Sequence, residues 1–121
     1  MGLEIVDVSE GSLTVRVTGT LKKSELDRAQ ASAREIIRRH GKVRFLVIAE
    51  DFRGWDREGD WGDVSFQMEY DEYIERIAIV GEKQWEDLAL AFAGKGVRPA
   101  VIEYFLPSDL ATARAWVATK P

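Results

Sequence analysis

Val43-Arg44-Phe45-Leu46-Val47-Ile48-Ala49 is the stretch that decides the fold. Arg44 apart, every position is apolar, so both faces of the segment need cover. A half-buried strand alternates apolar with polar; one without alternation belongs in the middle of a parallel sheet, between helical layers. Parallel neighbours must be joined by crossovers, usually helices. Just upstream, Ser24 with Glu25 and Asp27 opens a helix whose apolar positions Leu26, Ala29, Ala33, Ile36 and Ile37 share one face. Arginines fill its last turns and Gly41 ends it.

Further out on the N-terminal side, Leu3 to Val8 and Leu13 to Thr18 alternate as half-buried strands do. Glu10-Gly11-Ser12 between them makes an antiparallel hairpin. On the C-terminal side, Glu50 to Gly59 reads as irregular, and a helix is predicted from about Trp61 to Glu72. A strand follows at Arg76 to Val80, then Gly81, then a helix with Trp85, Leu88, Ala89 and Phe92 on one side. Gly94-Lys95-Gly96 is a loop, Ala100 to Phe105 the last strand, and Pro107-Ser108-Asp109 leads into a helix through Leu110, Ala113, Trp116 and Val117. The order β-β-α-β-α-β-α-β-α gives an α/β fold: a mixed β-sheet, an N-terminal antiparallel hairpin and then parallel strands, flanked by about four helices. Residues 1–121 are expected to form a single domain, near the most common domain size.

Composition narrows the chemistry. The chain has no cysteine, which excludes disulfides, zinc–thiolate sites and thiol nucleophiles. Its one histidine, His40, precedes Gly41 and suits a helix C-terminus. No stretch approaches the roughly 18 apolar residues of a membrane span, and the first residues lack the pattern of a secretory signal, so cytoplasmic residence is expected. A net charge of −4 argues against affinity for nucleic acid. Residues 50–75 carry a net −8, and eight bases against three acids fall in residues 22–44. That asymmetry reads either as two solvated surfaces or as faces that steer two copies together.

Candidate sites for chemistry are weak. Gly94-Lys95 lacks the earlier glycine and the following Ser or Thr of a phosphate loop. The acids at 51, 56, 58, 60 and 63 match no compact calcium loop, since Arg57 interrupts them and no closing glutamate follows. The reading is therefore of a protein without catalytic residues, metal or cofactor. The central helix is more informative. At helical spacing Trp61, Val64 and Met68 form one stripe, and Phe66, Tyr70 and Tyr73 form another nearly opposite. A helix covering a sheet needs one apolar face, so the second stripe, with Trp55 upstream, requires its own cover. The neighbouring helix carrying Trp85 and Phe92, a second subunit in a homodimer, or an apolar ligand would each supply it.

Several segments together resemble the SpoIIAA-like family. They are Val17-Thr18-Gly19-Thr20-Leu21, Asp51-Phe52-Arg53-Gly54-Trp55, Trp61-Gly62-Asp63, Glu75 through Trp85, and Glu103-Tyr104-Phe105 with Ala115-Trp116-Val117. The run Arg76-Ile77-Ala78-Ile79-Val80-Gly81, with Trp85 four positions on, is the most specific. Such proteins are similar to STAS domains and, in fold, to the CRAL-TRIO lipid carriers. The resemblance implies a mixed sheet flanked by helices that holds a non-polar small molecule or a regulatory protein partner, and no catalytic residues. STAS antagonists of anti-sigma factors switch on a phosphorylated serine after the third strand; Asp51 to Trp61 contains no Ser or Thr, and Ser65 lies inside the predicted helix, so that site is not carried over. The expectation is a binding module in which Trp55, Trp61, Phe66, Tyr70 and Tyr73 form one wall of a pocket or dimer contact, and Trp85 and Phe92 the other. The alternative is a STAS-type regulator acting through protein contacts.

Overall fold

A computed structural model describes residues 2–9 and 11–119; Glu10, in the expected hairpin turn, lies outside the described residues. The strands are β1 (Gly2–Ser9), β2 (Ser12–Leu21), β3 (Val43–Trp55), β4 (Ile74–Val80) and β5 (Val101–Phe105). The helices are α1 (Lys23–His40), α2 (Ser65–Tyr70), α3 (Glu86–Ala93) and α4 (Leu110–Ala118), with short 3-10 turns at Asp71–Tyr73, Lys83–Trp85 and Pro107–Asp109. The strands lie in the order β1-β2-β3-β4-β5, antiparallel between β1 and β2 and parallel thereafter. Strand order that simply follows the chain, combined with right-handed crossovers, sends every connecting helix to the same face. Accordingly α1, α2 and α3 all pack against one face. Only α4, which has no strand to return to among the described residues, packs on the other, over β3 and β4.

That division explains the unbroken apolar run in β3. Phe45 and Val47 point to the three-helix side, while Leu46 and Ile48 pack against Ala113 and Val117 of α4. On β2 Leu13, Val15 and Val17 are buried under the three-helix layer; on the other face Thr14 is buried while Arg16 is partly exposed. There its guanidinium pairs with Glu4 and Glu50.

Two local readings change. α1 begins one residue earlier than Ser24, and the capping is done by Glu25. One carboxylate oxygen accepts the Lys22 backbone N–H and the other that of Leu3, both at 2.9 Å, which ties the helix start to the edge strand. The predicted central helix over residues 61–72 is shorter, from Ser65 to Tyr70. Asp63 accepts the Ser65 backbone N–H at 3.0 Å, a side-chain bond to the backbone that competes with helix before that point. The Ser65 hydroxyl bonds the same carboxylate, and these bonds hold the Asp63 pKa below its ordinary value.

Candidate functional site

The three helices on the crowded face are unequal. At about 1.5 Å per residue α1 runs roughly 27 Å, α3 about 12 Å and α2 only about 9 Å. Phe66 is the only buried residue of α2. Between α1 and α3, under α2, the sheet is therefore left partly uncovered, and a cavity of about 190 Å³ lies there. Its floor is built from Val15, Val17, Phe45, Val47, Ile77 and Ile79 of the sheet. Ala29 of α1, Phe66 and Gln67 of α2, and Ala89, Phe92 and Ala93 of α3 form the sides and roof. Protein interiors are packed closely enough that a void of this size is uncommon.

The end of β3 makes the most specific contribution. Through Ala49 the strand alternates regularly, with 45, 47 and 49 toward the cavity and 46 and 48 away from it. Continued alternation would send Phe52 to the opposite face. Instead, Thr18 pairs with Glu50 and Gly19 with Phe52, so Asp51 is an extra residue, held at a left-handed φ of 50°. A second slip follows, since Gly19 pairs with Phe52 but Leu21 pairs with Trp55. Gly54 sits in it at φ 101°, a conformation that L side chains rarely adopt. Two successive β-bulges thus turn both Phe52 and Trp55 into the cavity. Of the segment expected to be irregular, Glu50 to Trp55 is strand, bent twice, and Asp56 to Gly59 is irregular.

Phe52 and Trp55 meet Trp85 in a three-ring cluster, every pair edge to face, with centroids 5.1, 4.9 and 6.1 Å apart. Phe92 packs on Trp55 at 5.1 Å, and Trp61 on Phe92 at 5.6 Å. Trp61 is anchored by its indole N–H, which donates to the Asp56 carbonyl at 2.7 Å. Phe92 is 46% exposed, placing this ring at the mouth rather than in the core.

Of the seven aromatic residues singled out from the sequence, the cavity is lined by Trp55, Phe66, Trp85 and Phe92. Trp61 joins the cluster through Phe92 without lining the void. Tyr70 stacks on Phe66 at 5.1 Å under the Arg34 guanidinium, and Tyr73, 39% exposed, follows at 6.5 Å. These two tyrosines do not line the cavity. The two-stripe reading of the central helix is reversed: Phe66 and Tyr70 face inward, whereas Val64 and Met68 are exposed and Trp61 precedes the helix. With the helix beginning later, Ser65 is its first residue rather than an internal one.

Phe52, Gln67, Arg98 and Tyr104 also line the cavity and were not singled out. For Phe52 the signal was present: Asp51 and Gly54, residue types that tolerate positive φ, within an otherwise strand-like run. Arg98 closes one side. Its Nε and Nη2 donate to Asp71 at 3.0 and 2.7 Å and its Nη1 to the Ala93 carbonyl at 3.0 Å, linking the segment after α2 to the loop after α3. The Tyr104 hydroxyl donates to the Glu82 carbonyl at 2.7 Å. Burial, and then the negative charges of Glu86 and Glu82, raise its pKa above the ordinary 10.0, so the phenol stays neutral.

The acidic stretch divides. Glu50, Asp71 and Glu75 are committed to Arg16, Arg98, and Lys42 with Arg44, while Asp51, Glu58, Asp60 and Asp63 are exposed. Among the described residues no three acidic or histidine side chains gather in a metal-sized group, and no helix is long and apolar enough to cross a membrane.

The family model described as SpoIIAA-like matches residues 12–118. The chain belongs to the SpoIIAA-like family. This SpoIIAA-like chain is also similar to the crystal structure of an uncharacterised protein of the DUF3478 family, with a SpoIIAA-like fold, from Shewanella loihica PV-4. The TM-score is 0.72 over 97% of this chain and 94% of that one, at 17% identity, which is a likeness of fold. A search of curated proteins finds no match for this SpoIIAA-like sequence.

Proposed function

We propose that this SpoIIAA-like protein is a non-catalytic binding module that holds a small apolar molecule in the cavity under α2. The observation that carries the reading is the double bulge of β3, which turns Phe52 and Trp55 into a void that close packing would otherwise fill. Bulges recur where a strand must re-aim a side chain beside a site. An apolar cavity with a few polar groups, opening through aromatic side chains, has the form of a ligand pocket. Its capacity suits a small ligand, since an apolar cavity of about 150 Å³ takes up benzene.

Native mass spectrometry of freshly purified protein, followed by denaturation and analysis of what is released, tests the proposal. A bound mass lost on denaturation supports it. An empty protein whose stability is also unmoved by small aromatic compounds would contradict it, since a ligand that binds only the folded state must stabilise it.

A further inference from the structure

Three polar atoms belonging to cavity-lining residues are buried without any hydrogen-bond partner: Trp55 Nε1, Trp85 Nε1 and Gln67 Oε1. Buried polar groups in folded proteins are nearly always paired, so three orphans around one void call for a physical account. The edge-to-face contacts of Phe52, Trp55 and Trp85 leave the indole N–H groups among ring faces, where N–H···π contact is a second-order interaction. Trp61, by contrast, has its N–H on the Asp56 carbonyl. Among the three tryptophans of the aromatic cluster, the two that line the cavity are those whose N–H has no partner.

The charged group at the wall is already occupied. Arg98 gives Nε and Nη2 to Asp71 and Nη1 to the Ala93 carbonyl. A carboxylate or phosphate entering the cavity would meet an apolar lining and no uncommitted cation among the lining residues, and burying an anion on those terms is costly. A neutral oxygen faces no such cost and satisfies an indole N–H.

We infer that the ligand is an uncharged, ring-sized molecule carrying one carbonyl or hydroxyl oxygen, recognised by the indole N–H of Trp55 or Trp85 when a turn of that ring brings its enclosed N–H to the cavity. This rests on the cavity being a binding site, and it adds the polarity, charge and size of what binds. Pairing one buried donor raises affinity by about tenfold.

The test uses three probes of similar bulk, measured by calorimetry on the intact protein: indene, 1-indanone and benzoate. The expected result is that indanone binds about tenfold more tightly than indene, and benzoate at least tenfold more weakly than indanone. In Trp55→Phe or Trp85→Phe, each keeping a ring, the ratio of indanone to indene affinity should fall from about tenfold to about one, whatever the change in indene binding itself. Equal binding of indene and indanone, or no effect of either substitution on their ratio, overturns the inference and leaves the apolar pocket standing. Tighter binding of benzoate also overturns it. Failure of all three probes to bind removes both the inference and the pocket beneath it.

Discussion

Replacing Ala89 by leucine should stabilise the protein. Ala89 lies on α3, lines the cavity and is partly buried. Leucine adds three carbons, each contributing about 0.8 kcal/mol when buried, for a ceiling of about 2.4 kcal/mol. Fixing the longer side chain gives back roughly 0.5–1 kcal/mol. The net expectation is a gain of about 1.5 kcal/mol, with helix propensity nearly unchanged between alanine and leucine. Equilibrium urea denaturation followed by far-UV circular dichroism measures it, and an unchanged slope would place the effect in the folded state. The same substitution should weaken or abolish binding of small aromatic probes, because it occupies their space. The opposite sign would refute the reasoning: in a fully packed core the added carbons would cost about 1–3 kcal/mol.

Further expectations test the parts around the cavity. Asp51→Gly should leave stability within about 0.5 kcal/mol, while Asp51→Val should cost about 1–2 kcal/mol, because a β-branched residue resists the left-handed φ of the first bulge. At the Glu75 carboxyl, burial opposes ionisation, but hydrogen bonds from Lys42 and Arg44 and their charges outweigh it, so its pKa falls below the ordinary 4.5. The stability it contributes is full above pH 4.5 and is lost as the pH falls through the lowered folded value. Glu75→Gln should therefore cost about 1–2 kcal/mol at pH 7. The difference should shrink steadily in acid, read by urea denaturation across that range. For Arg98 and Asp71, single replacements by alanine and the double replacement should fail to add by about 1–2 kcal/mol, a coupling that a thermodynamic cycle measures directly.

How much of this was legible in the sequence follows from which interactions are local. The unbroken run from Val43 to Ala49 declares a strand covered on both sides, and α1 and α4 are declared by a single apolar face each. Ring chemistry was legible too, since Trp55, Trp85 and Phe92 stand out by residue type. The bulges were not, because the alternation that would reveal them is broken by the bulges themselves. Asp51 and Gly54 read as loop residues until the pairing with Gly19 and Leu21 is known. Periodicity over the six residues of α2 cannot say which stripe faces the sheet. That is fixed by tertiary contacts: Phe66 inserts into the core and Arg34 of α1 lies over Tyr70. The void itself depends on the short span of α2, set by the Asp63–Ser65 contact at its start.

The central claim is that an apolar molecule enters the cavity under α2, and the four tryptophans provide a direct test. Trp55 and Trp85 line the cavity and Trp61 stands at its mouth, whereas Trp116 packs on Phe105 across the sheet at 5.7 Å. The indole N–H signals in a ¹H–¹⁵N spectrum of uniformly labelled protein should be recorded as indene is added. The account predicts saturable shifts for Trp55 and Trp85, a smaller one for Trp61 and none for Trp116. No saturable shift, or one in which Trp116 moves as far as the others, would contradict it.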